Sequence, residues 1–229
     1  MNIYFFTYVD NNPKYRRDAE ILIKSGEKYG RDIHLYEIPD DEIWNRYKVK
    51  LIASDLPEAD RYVCLDSDTV LICHGDWESD DCQGTMDILY YMNSVNRNKY
   101  THSFIKNHTL LDGDKGAYEY ILNMWRQLEE PIWRNSGVVV VDRQDKRIMS
   151  QQWLAWMEIV DSHCDTGKVV GDEAPLMFAA HAGKWPLLPP RFNVCLKWQP
   201  MIADAVLLHA DGNVDGEKAK PYFDAVKRI

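Results

Sequence analysis

Tyr62-Val63-Cys64-Leu65-Asp66-Ser67-Asp68 joins an apolar run to a pair of carboxylates. The run has the length and composition of a buried strand, and the acids follow at its carboxyl end. Positions i and i+2 of an extended segment point the same way, so Asp66 and Asp68 face one point or straddle it as the chain turns. Two hard oxygen donors suit Mg²⁺ or Mn²⁺, which bind through one or two carboxylates plus substrate phosphates. In open α/β sheets, ligands bind outside the carboxyl ends of the strands. The pair therefore reads as a metal–diphosphate site. With 24 Asp in 229 residues such triplets also arise by chance, and Asp112-Gly113-Asp114 is a second one. No strand precedes it, and it reads as a solvated loop. A loop-capping pair would share the spacing of Asp66 and Asp68, so the surrounding chain has to decide between the two.

Upstream of the pair, a strand is expected at Asn2–Tyr8, a helix from Lys14 to Tyr29 after the turn Asp10-Asn11-Asn12-Pro13, and a strand at Ile33–Tyr36. A helix at Tyr47–Leu56, ended by Pro57, leads into the strand Arg61–Leu65. This β-α-β-α-β order is that of a parallel, doubly wound, nucleotide-binding half. Downstream, Val70–Ile72 is a short strand, 73–115 is polar and irregular, and Gly116–Leu128 is helical. Val138–Val141 is a β-branched buried strand. Helices are expected at 145–160 and 172–182, a strand at Val206–Leu208, and a last helix over Lys218–Lys227 broken at Pro221.

At this length one α/β domain is the natural count, and the 45% hydrophobic fraction can build a substantial core. A net charge of −9 with no basic stripe argues against a nucleic-acid partner. It leaves a nucleoside diphosphate open, because a divalent cation screens the phosphates. The cysteines, at 64, 73, 82, 164 and 195, are odd in number and have no zinc spacing, and so read as reduced thiols of a cytoplasmic protein. No signal peptide and no membrane span is visible. In that setting the sequon Asn107-His108-Thr109 is silent.

Four further features complete a candidate site. Asn135-Ser136-Gly137 opens the buried strand, with an amide, a hydroxyl and a bare backbone that can approach a polar ligand closely. Gly171-Asp172-Glu173 starts a helix with two adjacent carboxylates, His209 ends the strand Val206–Leu208, and Lys50 lies on the helix before the Asp66 strand. Taken singly each has a plainer role: Asn135 and Ser136 satisfying a turn, Asp172 capping a helix, His209 structural, Lys50 solvated. Their occurrence together and in this order favours a site.

That order resembles the GT-A-fold glycosyltransferases of family eight, which include glycogenin and bacterial lipopolysaccharide galactosyl- and glucosyltransferases. Leu65-Asp66-Ser67-Asp68-Thr69-Val70 is similar to the family's Asp-x-Asp strand end, and Lys50 stands sixteen positions before Asp66, where the family places a lysine. Asn135-Ser136-Gly137-Val138 resembles its Asn-(Ala/Ser)-Gly-Val segment, Gly171-Asp172-Glu173 its Asp-Gln motif, and Arg191-Phe192-Asn193 its aromatic-Asn segment. Leu208-His209-Ala210-Asp211-Gly212 with Lys220-Pro221-Tyr222 resembles the His-x-x-Gly…Lys-Pro-aromatic tail. Two departures stand out: Lys220 is eight residues past Gly212 where the family has three, and Glu173 replaces the usual Gln.

The resemblance implies a single GT-A domain over 1–229, with a Rossmann-like nucleotide-binding half at 1–70, a donor-sugar and acceptor half at 130–229, and a central, mostly parallel sheet flanked by helices. It implies transfer of a hexose from a nucleotide sugar, a UDP-sugar, to a glycan, lipid or protein, with retention. Asp66, Asp68 and His209 would hold Mn²⁺ (or Mg²⁺). Thr7, Tyr8, Asp10 and Tyr15 would sit at the nucleoside of the donor, Ser67 would belong to the donor-binding set, and Lys50, Gly212 and Lys218 or Lys220 would serve the phosphates. Asn135, Ser136 and Gly137 would contact the sugar, with Asp172 and Glu173 at the reaction centre. Three rivals compete. A haloacid-dehalogenase-like phosphatase would use Asp66 as nucleophile, but two strand–helix units precede the motif and the expected downstream acid is missing. A non-catalytic nucleotide- or carbohydrate-binding module would share the fold. A nucleotide-sugar pyrophosphorylase would need a Gly-rich loop after the first strand.

Overall fold

Ile3–Val9 forms β1, and the turn after it launches α1 (Pro13–Lys28). The Asn12 side chain accepts from the Lys14 N–H, and Pro13 takes the first helical position, where its missing N–H costs nothing. The computed structural model describes residues 1–39, 42, 44–87, 115–129, 131–165, 171–197, 199–210 and 219–229. Over these follow β2 (Ile33–Glu37), α2 (Trp44–Ala53), β3 (Arg61–Leu65), β4 (Thr69–Leu71) and β5 (Gly84–Asp87). Then come α3 (Lys115–Gln127), β6 (Arg134–Asp142), α4 (Arg143–Asp161), α5 (Glu173–Gly183), a 3₁₀ turn (Pro190–Phe192), β7 (Val194–Cys195), β8 (Leu207–His209) and α6 (Lys220–Val226).

The main sheet has the order β2-β1-β3-β6-β5. β2, β1 and β3 are mutually parallel, β6 runs against β3, and β5 runs against β6. Four of the five strands thus share a direction, as expected of a mostly parallel α/β sheet. Its faces follow the two-residue alternation of strands. Phe5, Val63, Leu65, Val138 and Val140 pack with Leu22 of α1 and Ile121 of α3. Phe6, Tyr8, Tyr62, Cys64, Val139 and Val141 pack with Ile52 of α2, Trp153 of α4 and Leu176 of α5. A smaller sheet, β4-β8-β7, stands beside α1.

The reversal of β6 positions the site. Leu65 is in register with Val138, so the first residues of β6 lie at the edge where β3 ends, and the Asp66 N–H continues the ladder to the Gly137 carbonyl at 2.8 Å. In the smaller sheet Thr69 is opposite His209, which brings the end of β8 to Asp68.

Several expected boundaries move. The strand expected to begin at Val138 begins at Arg134, whose guanidinium is bound by the carbonyls of Thr85, Trp185 and Pro186. β5 lies in the stretch read as irregular, whose residues 88–114, with Asp112-Gly113-Asp114 and the sequon, fall outside the described residues. Pro221 sits in the first turn of α6 and starts that helix instead of breaking it. No disulfide links the five cysteines, all of which are described. Among the described residues no helix is long and apolar enough to cross a membrane.

Candidate active site

Asp66, Asp68 and His209 converge where the carboxyl end of β3 meets the smaller sheet. One ligand atom from each lies within 4.8 Å of the others. Ligand atoms on opposite sides of an octahedral Mg²⁺ or similar ion are about 4.2 Å apart, so small side-chain adjustments would let this group hold a metal. The donor set, two carboxylates and one imidazole, is chemically suited to such an ion. His209 Nε2 is 3.3 Å from Asp68 Oδ1. The ring has room only because residue 137 is glycine: a Cβ there would lie 2.1 Å from His209 Cε1.

Asp66 is anchored from behind. Its Oδ1 accepts the Tyr8 hydroxyl at 2.8 Å and pairs with Lys48 Nζ at 2.8 Å. Burial raises the Asp66 carboxyl above the usual carboxylate range, against the opposing pull of Lys48 and His209. Lys48 is fully buried. Its ammonium also pairs with Asp172 Oδ2 at 3.2 Å and donates to the Ser136 carbonyl at 3.0 Å. Burial alone would lower the lysine, but Asp172 and Asp66 outweigh it and hold the ammonium above its ordinary value. Burial and the neighbouring Asp66 likewise keep the Tyr8 phenol protonated.

The lysine drawn into this cluster is Lys48, not Lys50. Two positions apart on a helix means about 200° of rotation. Lys48 shares the inward face with Leu51 and Ile52, so Lys50 turns outward and pairs with Glu42 at 2.5 Å. That i, i+3, i+4 pattern is present in the sequence and marks Lys48 as the buried member. Asp172 holds the cap position of α5 without making a side-chain cap bond, because its carboxylate is turned to Lys48.

A second network joins Glu173 to His209. Asn135 donates from Nδ2 to Glu173 Oε1 at 2.9 Å, and the Trp133 indole donates to Glu173 Oε2 at 3.2 Å. Asn135 Oδ1 accepts from the Gly137 N–H at 3.0 Å and from Asn193 Nδ2 at 2.7 Å. Asn193 Oδ1 lies 3.2 Å from His209 Nδ1. In the sequence Asn193 appears only as part of a motif, and Trp133 carries no signal beyond an apolar position.

Thr7 is fully buried in β1 beside Leu65, and its hydroxyl has no hydrogen-bond partner among the described residues. Asp10 accepts the Asn12 N–H in the turn before α1. Tyr15 is half-buried, its phenol raised first by burial and then by Asp68. Asp18, absent from the expected set, is raised by the same two causes, which places it near Asp68. Ser67 is buried between the two acids. Lys220 is exposed at the start of α6. It lines a cavity of about 460 Å³ with Tyr29, Leu71, Met201 and Leu208, a lining that includes none of Asp66, Asp68 and His209. Gly212 and Lys218 lie outside the described residues.

No family model matches the chain, and no curated protein matches it. Among solved structures, it is similar to the crystal structure of a glycosyltransferase involved in the glycosylation of the major capsid of PBCV-1. The match covers 100% of both chains with a TM-score of 0.54 and 12% sequence identity. At that identity the likeness is one of fold: the two chains share a mixed α/β architecture with a central, mostly parallel sheet flanked by helices.

Proposed function

We propose that this chain is a metal-dependent glycosyltransferase that moves a hexose from a nucleotide sugar, a UDP-sugar, to a glycan, lipid or protein acceptor, with retention. The observation that carries the reading is the meeting of Asp66, Asp68 and His209 beyond the carboxyl end of β3, linked to Asp172 through Lys48 and to Asn135 and Glu173 through Asn193. Asp66, Asp68 and His209 would hold Mn²⁺ or Mg²⁺, which when bound supplies Lewis-acid neutralisation of the departing diphosphate. Tyr8 and Lys48 hold the Asp66 carboxylate in place. Thr7, Asp10, Tyr15 and Ser67 serve the donor nucleotide, while Asn135, Ser136, Gly137, Asp172 and Glu173 line the sugar. On the sequence resemblance alone, Gly212 and Lys218 close over the phosphates. Lys50 and Lys220 point elsewhere and take no part in this reading. A phosphatase using Asp66 as nucleophile is less well supported, because its Oδ1 is committed to Tyr8 and Lys48 and the third group beside the acids is an imidazole.

The test is thermal unfolding with UDP, GDP and CDP, each with and without Mn²⁺. A ligand at a hundredfold excess over its dissociation constant adds about 2.7 kcal/mol to the folded state. UDP is expected to raise the melting temperature only with Mn²⁺, and Asp68→Asn is expected to abolish the shift. Asp68 is a better probe than Asp66, whose neutralisation would also remove a buried partner of Lys48. A metal-independent shift, or none with any nucleotide, would sink the proposal. Binding of UDP–Mn²⁺ without release of UDP from any sugar donor would identify a non-catalytic module instead.

A further inference from the structure

We infer that Glu173, Asn135 and Asn193 form a one-way hydrogen-bond relay that fixes the tautomer of His209, making Glu173 a positioning residue for the metal-facing imidazole. The ligand role of His209 rests on the metal reading proposed above; the relay itself rests on the direction of each hydrogen bond. An amide's two ends are told apart by what they face. The Gly137 backbone N–H can only donate, so the Asn135 atom it meets at 3.0 Å is the carbonyl oxygen. Asn135 therefore turns its NH₂ to Glu173 Oε1, and the indole of Trp133, also a donor only, fixes the other carboxylate oxygen as an acceptor. With the Asn135 oxygen facing Asn193 at 2.7 Å, Asn193 must present its NH₂ there and its own oxygen to His209. An oxygen 3.2 Å from Nδ1 requires that Nδ1 carry the proton. Nε2, turned toward Asp68, is then the nitrogen whose lone pair can serve a cation.

Without the relay, the carboxylate of Asp68 at Nε2 would favour a proton on that nitrogen, the tautomer that cannot bind a metal through it. All three amide and imidazole partners are buried, with Asn135 2%, Asn193 0% and His209 2% exposed, so water does not substitute for the relay. The Gly137 N–H and the Glu173 carboxylate, one at each end of the Asn135 amide, thus together orient it and, through Asn193, set the ligand nitrogen at the end of β8.

The experiment reads tautomer and metal binding separately. Nitrogen-15 NMR of histidine-labelled, metal-free wild type at alkaline pH, with His209 assigned by its loss in His209→Gln, is expected to show a proton on Nδ1. In Asn193→Ala that tautomer should be lost, and the Mn²⁺ dissociation constant, measured by electron paramagnetic resonance without donor, should rise about 10- to 100-fold. Glu173→Gln, which still offers an acceptor oxygen to Asn135, should keep both properties better than Glu173→Leu. A wild-type His209 protonated on Nε2 would overturn the relay without recourse to any variant. So would unchanged Mn²⁺ affinity in an Asn193→Ala protein with native circular dichroism. If wild type shows the expected tautomer but binds no Mn²⁺, the metal reading and the ligand role of Nε2 fall while the relay stands.

Discussion

A lysine buried with two carboxylates exchanges its hydration for fixed contacts, here with Asp66, Asp172 and the Ser136 carbonyl. Removing one partner of such a cluster leaves uncompensated buried charge, at a cost of about 3–5 kcal/mol. Lys48→Met is expected to lose stability on that scale by urea denaturation, whereas Lys50→Met on the exposed face should stay within about 0.5 kcal/mol of wild type. Equal effects at the two positions would refute the assignment. Cys82 gives a pH-dependent counterpart. Burial, against the pull of Arg61 and Arg191, raises its thiol from 9.0 to about 12. Below 9.0 both folded and unfolded chains keep the proton, and the full stability is present. Between 9.0 and about 12 only the unfolded chain ionises, so stability falls as pH rises. Cys82→Ala should flatten the alkaline decline of the urea midpoint, and an unchanged slope would show that Cys82 is not its source. The acids and the histidine of the site were legible as residues because they end apolar runs. Lys48 was legible only through helical phase, and Asn193 was not, because its role depends on which way two amides point.

Among the elements, α1 begins on a side-chain cap followed by proline, and the cap bond from the Lys14 N–H to Asn12 is 3.0 Å. Asn12→Ala is expected to cost about 1 kcal/mol in chemical denaturation, with little change in the denaturant slope. A neutral result would mean that tertiary contacts alone hold the start of α1. The strands β1, β2, β3 and the body of β6 could be read from apolar and β-branched runs. β5 and β7, four and two residues long, are too short to show a period and owe their conformation to neighbours. The start of β6 was missed for another reason: the β-branched run begins at Val138, and the polar residues before it, Arg134 and Asn135, carry no strand pattern, yet their polar atoms are satisfied at the start of the strand.

At the scale of the molecule, the site is assembled from distant parts of one chain. Asp66 and Asp68 follow β3, while His209 arrives with β8 through a separate sheet. A cation bound by all three would tie the carboxyl-terminal segment to the amino-terminal half. Mn²⁺ with UDP is therefore expected to slow hydrogen exchange at the amides of β4, β7 and β8 more than at β2, which lies at the far edge of the main sheet. Protection confined to β1–β3 would exclude His209 from the bound group. The order of α and β segments announced the fold class. The direction of β6 could not be read, since a buried strand has the same composition whichever way it runs, and that direction is what brings Asn135 to Asp66.

The reversed strand also divides the molecule for anyone who would modify it. At one edge of the sheet β6 begins beside the end of β3; at the other, Asp142 meets Arg61, close to the turn at 54–60. Five residues of strand separate these edges by about 16 Å. The candidate site thus lies at one end of the strand and the turn at 54–60 at the other. Exchanging the short connection before β6 re-shapes the mouth of the site, while a dye, tether or fused partner attached at 54–60 leaves it open.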